Sequence, residues 1–112
     1  MSLTLKDICN KQKNFDQNTF INGKSFYTNI DAGNLHELEH LIVCLVGELG
    51  EFSNLTKKIV RGDKAFISEK ENLNEELVDV FIYLIKIANQ FDVDLEKGFL
   101  AKLEKNKTRF GD

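Results

Sequence analysis

The chain has 112 residues, 42% of them hydrophobic, with 15 basic and 18 acidic side chains and a formal net charge of −3. That length suits one domain, residues 1–112, with one modest core, and the faint acidic balance argues against a nucleic-acid polymer or a membrane surface as partner. No apolar run is long enough to span a bilayer and no secretory signal pattern opens the chain, so a cytoplasmic location is expected.

From Thr4 to Asn18 sparse apolar positions, Leu5, Ile8 and Phe15, predict an amphipathic helix with Thr4 as cap and Asp7 in its first turn. Residues 19–34 carry the Asn-Gly and Ala-Gly punctuation of a long connection. Its aromatics Phe20, Phe26 and Tyr27 are expected to pack on the helices. Asn34 suits the cap of a helix running from Leu35 to about Val60, whose stripe Leu35, Leu38, Leu41/Ile42, Leu45, Leu49, Phe52, Leu55 and Ile59 has the helical period. Arg61-Gly62-Asp63 ends it, and Ser68 with Glu71 forms the capping-box pattern for the next helix. That third helix is apolar on more than one face as far as Phe91. Asp94 or Asp92 caps a last helix from about Leu95 to Arg109. No strand pattern of useful length occurs, so the expected fold is an all-α, four-helix bundle. Its central helices carry more apolar surface than one copy can cover, which predicts a homodimer or homotetramer. Cys9 and Cys44 fit no zinc or redox spacing and read as free thiols.

Two stretches break the apolar rule. LIVCLVGELGEF contains Glu48 and Glu51, and EELVDVFIYLIKIA contains Glu76 and Asp79. Residues three apart on a helix lie side by side, roughly 5–6 Å between β-carbons. An ionised carboxylate among apolar neighbours is costly unless it is paired or metal-bound. If the two helices fold back antiparallel, the acid pairs converge into an all-oxygen site, which favours Mg²⁺ or Mn²⁺ over zinc or copper. Gly47 and Gly50, each costing up to about 1 kcal/mol in a helix interior, predict a close approach beside the site.

Glu48-Leu-Gly-Glu51 followed by Glu76-Leu-Val-Asp79 resembles the E-x-x-E…E-x-x-D signature of the MazG-like nucleotide pyrophosphohydrolases, over about Leu35 to Arg109. Gly47, where many members have a second glutamate, points to the dCTP pyrophosphatase-like branch. The resemblance implies an all-α, oligomeric, Mg²⁺-dependent enzyme that cleaves a nucleoside triphosphate to monophosphate and pyrophosphate, in a house-cleaning role. It makes Glu48, Glu51, Glu76 and Asp79 metal ligands, with Glu48 or Glu51 as general base. It also sets Tyr83 and Asn106 against the nucleotide.

Lys102, Asn106 and Arg109 share a helix face and form a plausible phosphate clamp, as does Lys58, seven residues beyond Glu51, in competition with Lys57 and Arg61. Lys105 and Lys107 read as solvated. Glu37-x-x-His40 is half of a di-iron motif with no second half, and His36 and His40 read as surface or interface residues. The competing functions are a non-catalytic helical oligomerisation module, its acids paired by Lys or Arg across the interface between copies, and a carboxylate-bridged di-metal protein.

Overall fold

The structure is a computed structural model describing residues 2–111, with four helices: α1 (Leu5–Gln17), α2 (Leu35–Val60), α3 (Phe66–Gln90) and α4 (Leu95–Phe110). Thr4 closes a reciprocal capping box on α1. Its hydroxyl accepts from the Asp7 amide at 3.1 Å, and Asp7 Oδ2 accepts from the Thr4 amide at 3.0 Å. The Thr4 amide, followed by the Thr4 hydroxyl, holds the Asp7 carboxyl below its ordinary value. Thr4→Ala is expected to cost about 1 kcal/mol, read as a lowered urea midpoint with an unchanged slope.

Residues 19–34 hold a feature too short to show any sequence alternation. β1 (Phe20–Ile21) pairs antiparallel with β2 (Lys24–Ser25) through Asn22-Gly23. Both turn residues have positive φ, 54° and 78°, the geometry for which Asn-Gly is suited. Phe26 and Tyr27 pack as expected: Phe26 stacks edge-on to Phe15, and the Tyr27 hydroxyl donates to the Asn89 carbonyl. Phe20 instead stays exposed.

Two expected caps are corrected. Asn34 sits at the start of α2, but its side chain turns back, accepting from the Asp31 amide and donating to the Asn29 carbonyl. Helix α3 begins at Phe66, before the Ser68/Glu71 pattern, because the backbone is already extended at Ala65. The Ser68 hydroxyl donates to the Ala65 carbonyl rather than capping an amide. At α4 the choice falls on Asp94, whose carboxylate accepts from the Lys97 amide.

Gly62, at φ 87°, turns the chain after α2, and the short link to Phe66 folds α3 back along it. Helices α2 and α3 form the main packing pair, and α1 packs on α3. The buried positions, Cys9, Ile30, Ile85 and Ala88 among the apolar ones, lie where α1 and the connection meet the C-terminal half of α3. Helix α4 packs mainly on α1. The radius of gyration, 17.1 Å, exceeds the about 13 Å of a compact domain of this size. Many large apolar residues, Val43, Val46, Phe81 and Phe99 among them, face outward. No helix among the described residues is long and apolar enough to cross a membrane.

Candidate active site

Because α2 and α3 run in opposite directions, the middle of one lies against the middle of the other. Glu48 therefore lies beside Asp79, and Glu51 beside Glu76. Glu48, Glu76 and Asp79, all half-buried, each offer a carboxylate oxygen within 4.8 Å of the other two. Glu51 is exposed and stands at the edge of this trio, close enough to share a carboxyl–carboxylate hydrogen bond with Glu48 and with Glu76. None of the four acids forms an ion pair with a Lys or Arg of the same copy among the described residues. Instead Glu48 Oε2 and Glu76 Oε2 are buried with no hydrogen-bond partner.

The electrostatics follow from that crowding. Burial, then the charges of Glu51 and Asp79, push the Glu48 carboxyl above its ordinary value. Burial, then the bond to Glu51 and the charges of Glu51, Glu48 and Asp79, push Glu76 up as well. A hard divalent cation fits this donor set. It would meet oxygens only, satisfy the two orphaned atoms and cancel the repulsion.

A pH dependence with a definite sign results. In the folded, metal-free protein the pKa values of Glu48 and Glu76 lie above those of the unfolded chain. Folding therefore takes up protons, and stability rises as pH falls through the raised values, levelling off below the ordinary carboxylate range. Protons compete with a bound cation, so stabilisation by Mg²⁺ is expected to fade over the same interval. Thermal melts from neutral to mildly acidic pH, with chelator and with Mg²⁺, should show opposite trends.

Tyr83, half-buried and one turn beyond Asp79, lies against the same site. Burial raises its phenol, with Cys44, Glu48 and Asp79 adding to the shift. Lys58 is also near: it lines a groove of about 380 Å³ with Glu51, Asn54, Leu55, Lys64, Glu69, Asn72 and Glu76. Lys64 comes from the link after α2, where it pairs with Glu69 at 3.7 Å. Nothing in its local sequence distinguished it, because only the chain reversal brings it to the acids.

The last helix is placed differently. Lys102 and Arg109 are exposed and Asn106 is half-buried on α4, and none of the three lines the groove or bonds to an acid of the trio. The close approach expected at Gly47 and Gly50 is absent within one copy. A Cβ at either position would meet nothing within 4 Å. His40 is exposed, its Nε2 3.7 Å from Cys44 Sγ, and the exposed His36 lies 3.5 Å from Glu37. Both cysteines are free, Cys9 buried and Cys44 half-buried.

The model of the MazG nucleotide pyrophosphohydrolase domain matches residues 36–111, which include all four acids. The chain is 34% identical to dCTP pyrophosphatase 1 of Homo sapiens over 84 residues, 71% of this chain and 49% of that protein. The rat protein of the same name, from Rattus norvegicus, matches with the same identity and coverage. This chain is also 36% identical over 81 residues to the Gene 37 protein of Mycobacterium phage L5, covering 70% of this chain and 71% of that protein. It thus spans about half the length of the dCTP pyrophosphatases it matches. No solved structure is a significant match. A domain match over two thirds of the chain, on a mostly helical fold whose paired acids converge, means that this chain belongs to the MazG nucleotide pyrophosphohydrolase family.

Proposed function

We propose that the protein hydrolyses a nucleoside triphosphate between its α and β phosphates, releasing the monophosphate and pyrophosphate, with Mg²⁺ (or Mn²⁺) as cofactor. The observation that carries this reading is the trio Glu48, Glu76 and Asp79, unpaired and with two orphaned oxygens, at the end of a groove bearing Lys58 and Lys64. Held by the trio, with Glu51 at its rim, the cation would neutralise phosphate oxygens and acidify a bound water.

The chain's own groups divide the remaining work. Glu51, exposed and outside the trio, is the general base that takes the proton of the attacking water. Lys58 and Lys64 oppose the charge that develops on the departing pyrophosphate. Tyr83 lies against the nucleotide. Lys102, Asn106 and Arg109 take part in holding phosphate only if self-association or a shift of α4 brings them to the groove. The outward apolar residues and the large radius of gyration support a homodimer or homotetramer.

The named relatives make dCTP the first substrate to try. The test is pyrophosphate release from a panel of ribo- and deoxyribonucleoside triphosphates. Release from at least one of them, dependent on Mg²⁺ or Mn²⁺, is the expected result. No release from any, or equal release in chelator, overturns the proposal.

A further inference from the structure

The family match begins at residue 36, yet a buried charge pair ties the segment before it to the candidate site. Asp16, on α1, is 1% exposed and its Oδ1 lies 2.8 Å from Lys86 Nζ on α3. The same oxygen accepts from Gln12 Nε2 at 3.0 Å, while Oδ2 has no partner, so the anchoring of this carboxylate rests on one atom. The Lys86 ammonium, on a side chain 13% exposed, sits 5.3 Å from the Phe26 ring centroid and 5.8 Å from that of Tyr83. It is thus enclosed by a carboxylate from α1, an aromatic ring from the connection after the hairpin, and the ring one turn back on its own helix.

A desolvated cation within about 6 Å of an aromatic face attracts it more strongly than one in water. Lys86 therefore acts on the Tyr83 ring, which also feels Glu48 of α2 and Asp79 of its own helix. We infer that Lys86, anchored by Asp16, is a positioning residue that holds the Tyr83 ring in place, so that α1 and the hairpin segment shape substrate binding without supplying a metal ligand. The inference rests on the reading, given above, that Tyr83 lies against the nucleotide.

Its test uses the two facts that the chain has no tryptophan and two tyrosines. In a Tyr27→Phe background Tyr83 is the sole tyrosine, and its fluorescence anisotropy reports on the mobility of its ring. Into that background go Asp16→Asn and Lys86→Met together, which removes both charges and leaves neither buried alone. The double variant is expected to melt close to its background. The anisotropy of Tyr83 should fall, and KM for the nucleotide should rise about tenfold with kcat little changed. A double variant with anisotropy and KM equal to the background overturns the inference, since the pair would then be a structural clasp alone. If the background itself releases no pyrophosphate, it is the enzymatic proposal that falls, and anisotropy alone decides whether Lys86 holds the ring. Asp16→Asn alone, which keeps the ammonium but loosens its anchor, gives the same two readouts should the double variant not fold.

Discussion

Asp79→Asn and Glu51→Gln are both expected to stop pyrophosphate release for practical purposes, but to part company in a melting experiment. Removing a general base costs about 10²–10⁴-fold in rate, and that is the loss expected for Glu51→Gln. Because Glu51 stands outside the trio, this variant should still be stabilised by Mg²⁺. At a cation concentration a hundred times Kd that stabilisation is about 2.7 kcal/mol. Asp79→Asn withdraws one of the three closest carboxylates, so both the activity and the Mg²⁺-dependent rise in melting temperature should go. Without metal the sign reverses. Asp79 is one of the charges that raise Glu48 and Glu76, so neutralising it relieves repulsion and the chelated variant should melt above the chelated wild type. A more stable but inactive protein is the behaviour of a binding site and not of a structural ion-pair network. An Asp79→Asn variant that keeps its response to Mg²⁺, or a Glu51→Gln variant that loses it, would reassign the two residues.

The arrangement of α2 and α3 was legible because one rule serves both. An apolar run at helical period predicts burial, and an acid inside it predicts a partner, which Asp79 within LVDVFIYLI illustrates. The same rule applied to the neighbouring LIKIA would have singled out Lys86, a cation inside the apolar run of the same helix whose partner proved to be Asp16. Asp16 itself could not be found this way, because the sparse pattern of α1 gives no sign of which polar residues face inward. The caps went astray where a side chain had two backbone groups within reach. Asn34 and Ser68 are the right residue types beside the right helices, but each bonds to a carbonyl or a turn instead. The placement of Lys102, Asn106 and Arg109 was illegible for a different reason. Helical spacing puts them on one face of α4 but says nothing of which neighbour α4 meets, and that neighbour is chiefly α1.

Lys86→Met alone is expected to be the most destabilising single substitution in the molecule outside the apolar core. Its methylene stem is replaced by a chain of similar volume, so little is lost in packing, and the cost comes from Asp16. That carboxylate is 1% exposed and has no partner on Oδ2, so without the ammonium it is left buried with a charge balanced only by the amide of Gln12. Breaking a buried pair in this way typically costs about 3–5 kcal/mol, against a total of about 5–15 kcal/mol for a whole domain. The exposed pairs, Arg61–Asp63 and Lys24–Glu37, set the contrast, since deleting either should cost about 1 kcal/mol or less. Adding Asp16→Asn to Lys86→Met removes the stranded charge and should return most of the lost stability, because an uncharged pair of similar shape is often as stable as a buried ionic one. The two substitutions are therefore expected to be strongly non-additive in a denaturant cycle run at one protein concentration. Additive losses would mean that water or a second copy of the chain reaches Asp16, and that the pair is not sealed from solvent in the working protein.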